Sequence, residues 1–193
     1  MLNIADFCLV HGLRTKEYHP CRLKDFRMNM KIITVFSILL GLQSCKGQTD
    51  GIEAVIARVD NVDLSQLKDR TIYFRSRGYE RGTSVYLVSS GYKVKCSPYA
   101  VDFDEDKKRI FQIRNNLVLG SCGEDYLTKE EITKYMGIYM RCKVNLLQVD
   151  TAGNVYINPG RAEKAILLRK APHSTPIDLD EFSPYKGDWY IRK

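Results

Sequence analysis

Apolar residues recur along the chain with two spacings, and each spacing predicts a different element. Around Asp50-Gly51-Ile52-Glu53 an acceptor and an acid stand three residues apart, and Ile52, Val55, Ile56 and Val59 follow at helical intervals. This predicts a short helix over 51–59. The same signature is stronger at Thr128-Lys129-Glu130-Glu131, where Ile132, Tyr135, Met136, Tyr139 and Cys142 then line one face of a helix over about 128–142. Between these helices the spacing changes. TIYFRSRG from Thr71 and TSVYLVSS from Thr83 are rich in β-branched and aromatic residues, and RGYERG separates them as a turn, which predicts a hairpin.

GYKVKC and YAVDF continue the strand character, broken at Ser97-Pro98, and RIFQIRNNLVL alternates after a DEDKK turn. Beyond the second helix, KVNLLQVD, TAG and NVYIN read as strand, turn and strand, with Gly153 supplying the positive φ of the turn. KAILLRK predicts another strand, residues 171–184 with Pro172, Pro176 and Pro184 predict a loop, and YKGDWYIRK predicts a terminal strand. Helices and strands do not alternate. The expected fold class is therefore α+β: a mainly antiparallel sheet with one principal helix and a short N-terminal one.

One apolar run fits neither spacing. IITVFSILLGL, residues 32–42, stands behind Met30-Lys31 and ends at Leu42-Gln43-Ser44-Cys45. A spanning helix needs about 20 residues, so this run is too short to cross a bilayer and stay. It matches the apolar region of a secretory signal behind a short positive start. A buried core element with a structural cysteine would have the same length, but a polar KGQTDG stretch follows at once and all other foldable sequence lies beyond.

The boundary at Leu42, Ser44 and Cys45 resembles the lipobox of bacterial lipoproteins, with Gln43 departing from the small or aliphatic residue usual there. The resemblance covers residues 30–45 and none of the domain that follows. It implies cleavage before Cys45, lipid attachment at its sulfur, a thiolate being the nucleophile that alkylation needs, and anchoring by two or more acyl chains. By the same resemblance, Lys46 after the cysteine, rather than an aspartate, implies outer-membrane delivery. Residues 1–29 are too long for a signal's positive start. They are expected to be an over-extended start, with the true one at Met28 or Met30, or a disordered leader. Residues 45–50 are expected to be a tether and 51–193 a single globular domain.

Cleavage there would leave 149 residues, enough for one domain with its own core. The whole chain carries +7, but residues 1–44 hold six Lys/Arg and three Asp/Glu, so the remainder has 24 basic and 20 acidic residues and a charge of +4. Both signs are interleaved, no basic track emerges, and nucleic acid is not an expected partner. Of the six cysteines, Cys96, Cys122 and Cys142 follow Cys45, so at most one disulfide forms among them. Cys96 with Cys122 is the expected pair, and Cys142 falls on the apolar side of the principal helix as a small hydrophobe.

Catalytic signatures are sparse. Asp102-Phe103-Asp104-Glu105-Asp106 opens like a calcium loop, but Lys107 and Ile113 stand where glycine and the final acid belong, so it reads as a turn. Cysteine pairs with metal-site spacing are absent, as are nucleophile-elbow, zincin and Walker patterns, so no metal or cofactor is expected. Cys122 with His173 is the one nucleophile–base pairing available, and Cys122 precedes the helix instead of opening it. Glu130/Glu131 and Asp180/Glu181 are adjacent and would diverge on a helix, so helix-start charge explains the first pair. Tyrosines and Trp189 offer an aromatic recognition surface centred on YKGDWYIRK, or simply pack the sheet.

The expected function is that of a membrane-anchored envelope lipoprotein. It would act as a non-enzymatic protein-binding module, in one version an immunity protein, with the membrane and an unidentified protein as partners. The alternative is an envelope hydrolase with an unrecognised site, for which Cys122 with His173 is the candidate pair.

Overall fold

The computed structural model describes residues 47–93 and 95–193. The chain divides into two units, Met1–Cys45 and Lys46–Lys193. Residues 1–44, expected to hold the leader and the signal segment, and Cys45, the expected lipid-attachment residue, lie outside the described residues. Helix α1 spans Gly47–Asp60, α2 Asn116–Cys122 and α3 Lys129–Cys142. The strands are β1 Arg70–Arg77, β2 Thr83–Ser90, β3 Tyr99–Asp104, β4 Arg109–Arg114 and β5 Leu146–Val149, followed by β6 Val155–Asn158, β7 Leu167–Arg169, β8 Phe182–Lys186 and β9 Trp189–Arg192.

All nine strands join one antiparallel sheet in the order β4-β3-β2-β1-β5-β6-β7-β9-β8. It consists of two meanders joined where β1 pairs β5, from Arg70 opposite Val149 to Tyr73 opposite Leu146. Helices α2 and α3 occupy the connection between the meanders. The fold is α+β with a mainly antiparallel sheet, but the described residues hold three α-helices rather than a principal and a short one.

Register decides which residues meet the helices. Ile72 lies opposite Leu147 and Leu147 opposite Ile157, which in turn faces Leu167, so these four share a sheet face. That face packs against Val55, Ile56 and Val59 of α1 and Ile132, Tyr135, Met136 and Tyr139 of α3 in the main core. The α3 side chains are those predicted from its spacing, and its capping box forms: Thr128 Oγ1 accepts from the Glu131 N–H at 3.1 Å, and Glu131 Oε2 accepts from the Thr128 N–H at 2.8 Å. Cys142 closes this face as a buried free thiol, its pKa pushed up to about 11 by burial. The opposite face carries a second, smaller cluster of Leu146, Tyr156, Ala165, Leu168 and Phe182.

Several elements differ from expectation for identifiable reasons. Helix α1 begins at Gly47, so the expected tether is partly helical; once Ile52, Val55 and Val59 anchor the helix, each added residue gains a backbone bond. NLVLGSC forms α2 instead of extending β4. Among its apolar residues only Val118 enters the core, Ser121 Oγ donates back to the Leu117 carbonyl at 2.9 Å, and Gly123 caps the end at φ +77°. Short apolar runs do not distinguish strand from helix by period.

GYKVKC leaves the sheet as a 3-10 turn over Gly91–Lys93, because the Gly91 N–H is drawn to the Asp69 carbonyl at 3.1 Å. YKGDWYIRK is the end of β8, a turn at Gly187 with φ +55°, and β9. The predicted loop 171–184 therefore ends early, with Pro184 in an edge strand, where a missing N–H is tolerated.

Candidate functional site

Strand β6 puts Asn154, Tyr156 and Asn158 on one face, since i, i+2 and i+4 project the same way and Asn154 immediately precedes the strand. Among the described residues no α-helix packs on this face, which is met only by the 3-10 turn Leu179–Glu181. Two of the three residues are buried amides, costly unless every polar atom finds a partner. Asn154, 1% exposed, donates from Nδ2 to Asp150 Oδ2 and to Ser174 Oγ, each at 2.7 Å, and accepts the Ala171 N–H at 2.8 Å. It thereby pins the proline-bearing segment 171–178 to the β5–β6 turn. Asn158 donates to the Lys164 carbonyl at 2.5 Å and accepts the Gly160 and Arg161 N–H groups at 2.9 Å, which shapes the β6–β7 loop.

Tyr156 lies between them and donates its hydroxyl to Asp178 Oδ1 at 3.0 Å. Burial, and then the Asp178 carboxylate, push its phenol well above the ordinary range, so it stays a neutral donor. Arg192 of β9 ties both loops to the sheet. Its Nε donates to the Ala165 carbonyl at 2.6 Å, its other nitrogens meet Glu181 and Asp178, and its guanidinium lies 4.3 Å over the Phe182 ring.

Two loops and the sheet thus enclose a cleft of about 880 Å³. Tyr73, Leu146 and Tyr156 contribute aromatic and apolar surface to its lining. Arg75, Gln148 and Glu163 are exposed lining residues that make no side-chain hydrogen bond or ion pair among the described residues. Ile177 stands on the lining with its side chain wholly in solvent. The cleft combines fixed walls with uncommitted polar groups.

The residues singled out from sequence lie elsewhere. Cys122 is joined to Cys96 by a disulfide with a Cα separation of 5.4 Å, which ties the end of α2 to the turn after β2. While that bond stands, Cys122 has no thiolate to offer as a nucleophile. His173 is exposed, with φ +59°, in the 171–178 segment. Asp102 pairs with Arg114 at 2.8 Å, and Asp104 accepts the Asp106 and Lys107 N–H groups; DFDED, expected as a turn, is the end of β3 followed by the start of the β3–β4 turn, with no calcium-loop geometry.

Trp189, expected at the centre of an aromatic surface, is 3% exposed. Its indole N–H points to Asp60 of α1 at 3.2 Å and Arg169 lies over its ring, so YKGDWYIRK does not present it. Glu131 serves the α3 cap, and Glu181 meets Lys164 and Arg192.

Among the described residues no group of three or more His, Cys, Asp or Glu side chains could hold a metal ion. No described helix is long and apolar enough to cross a membrane. The polar–aromatic–polar alternation of Asn154, Tyr156 and Asn158 was the sequence signal for the cleft, a polar stripe on a strand whose other residues are apolar.

Comparison with known proteins yields no matching family model, and no match among curated proteins or solved structures. The fold defines an α+β domain in which the described α-helices cover one sheet face and a walled cleft lies on the other.

Proposed function

We propose that this chain is an envelope lipoprotein, anchored through Cys45 and delivered to the outer membrane. Its globular unit would be a non-enzymatic module that binds a partner protein in the cleft, as an immunity protein binds the toxin it neutralises. The observation that carries the reading is the set of uncommitted side chains Arg75, Gln148 and Glu163 around an aromatic floor, between walls already held in place. Preorganised walls reduce the ordering cost of binding. Small-molecule sites enclose most of their ligand's surface. This cleft opens broadly to solvent, with Ile177 standing free, and suits a protruding segment of another protein. The lipobox resemblance supports the anchoring.

The test is a photo-crosslinking amino acid placed at Gln148 in cells. A discrete protein adduct is expected, weakened by Arg75→Glu and absent when the crosslinker is moved to Glu80, which lies outside the cleft. Failure to crosslink from position 148 in cells that express the anchored protein would reject the cleft as a protein site. In the same cells Cys45→Ala should abolish fatty-acid labelling and release the protein from the membrane fraction. Retained labelling would reject the anchor.

A further inference from the structure

Among the described residues the sheet has two free edges, and they differ in chemistry. β8 carries Pro184, which removes a donor and discourages pairing. β4 has no proline, and its sequence RIFQIR leaves outward backbone groups without a strand beside them among the described residues. A bulge between its pairings with Asp102 and Phe103 takes Phe111 out of register and leaves it 56% exposed. A bulge can blunt an edge, but this one presents an aromatic ring rather than a charge. Leu117 and Leu119 of α2 follow at 61% and 43% exposure. Of the five large apolar side chains most exposed among the described residues, three thus lie on or just after this edge.

Beside β4 runs a groove of about 590 Å³, bounded on its other side by the first turns of α3. The half-buried Ile110 and Ile113 contribute apolar surface to it, with Leu127 and Ile132 buried behind them. Arg109 and Lys129, both exposed, border it without an ion pair among the described residues. Asp125 is the lining's only acid, and the Asn115 amide donates to both its oxygens at 2.9 and 3.1 Å. An open strand edge, a flanking helix and a cationic rim are the elements of recognition by strand addition.

We propose that β4 and its groove receive an extended segment of a partner protein as a tenth strand, with apolar residues alternating with acidic ones. A second copy of the chain fits less well. Antiparallel pairing of RIFQIR with itself would set Arg109 opposite Arg114 at both ends, and like charges directly opposed destabilise a sheet. This edge is separate from the Tyr156 cleft and stands or falls independently of it.

The test presents the full-length chain to an array of peptides of about eight residues. Alternate positions are valine or phenylalanine, and the others vary through all residue types. Selected peptides should be enriched in aspartate and glutamate at the variable positions. Arg109→Glu or Lys129→Glu should weaken the selected acidic peptides about tenfold and shift preference toward lysine and arginine. Methylating backbone nitrogens of one parity should abolish binding, and of the other parity should not, because an added strand pairs only its inward amides. Capture indifferent to peptide charge, to both variants, or to the parity of methylation would overturn the proposal. So would a dimer that Phe111→Asp dissociates, which would give the edge to a second copy.

Discussion

Asn154→Leu tests how the walls of the cleft are held. The replacement keeps the branching and the number of heavy atoms but adds bulk, so its cost at a site 1% exposed is at least that of the lost hydrogen bonds. Two are donated by Nδ2, to the Asp150 carboxylate and to Ser174 Oγ, and one is accepted from the Ala171 N–H. A neutral bond contributes about 1 kcal/mol and one to a charged group about 1.5–3 kcal/mol. Asp150 keeps its bond from the Asn154 backbone N–H at 2.8 Å, which limits the loss on that side.

The expected cost is therefore at least about 3 kcal/mol, a large share of the roughly 5–15 kcal/mol that stabilises a typical domain. Urea denaturation should show it as a lower midpoint with an unchanged slope. Hydrogen exchange should speed up at 171–178, while α3 keeps the protection that the lowered global stability allows. Asn154→Asp is the companion variant. It keeps an acceptor for the Ala171 N–H but opposes the Asp150 carboxylate, so it should be destabilised at neutral pH and partly recover as acid protonates the pair. A loss below about 1 kcal/mol, with exchange at 171–178 unchanged, would refute the assignment of Asn154 as the pin.

Two further outcomes follow from buried groups. Tyr86, Tyr139 and Tyr156 all have phenols raised above the ordinary range, chiefly by burial. A raised folded pKa gives stability that is complete below the unfolded value near 10 and is lost as pH climbs past it. Absorbance near 295 nm should thus show exposed tyrosines ionising first and these three only as the domain unfolds, and early ionisation of all tyrosines would contradict their burial. Reducing the Cys96–Cys122 bond, whose cysteines are 26 residues apart, should cost about 3.5 kcal/mol by the chain-entropy relation. Thermal unfolding with and without dithiothreitol measures it, and the buried Cys142 thiol should stay unreactive until the fold opens.

Sequence alone determined the elements whose bonds are local. The capping box and apolar stripe of α3, the hairpin β1–β2 and the turn at Gly153 each close within a few residues, so residue type and spacing specify them. It also carried the lipobox resemblance, which is read from covalent chemistry and needs no fold. Where a run held two elements, as in RIFQIRNNLVL, the period was ambiguous, and only the burial of Val118 and the helix-ending Gly123 settled α2.

Tertiary structure decided the site. The partners that Asn154 and Tyr156 find in the 171–178 segment lie 17 to 22 residues further along the chain, and no local pattern foretells which loop a buried amide will hold. Trp189 looked like a recognition residue until pairing of β9 between β7 and β8 turned its ring beneath α1. Backbone periodicity is written in neighbouring residues. The choice of which face is covered, which edge stays open and which polar groups remain uncommitted emerges only when distant segments close on one another.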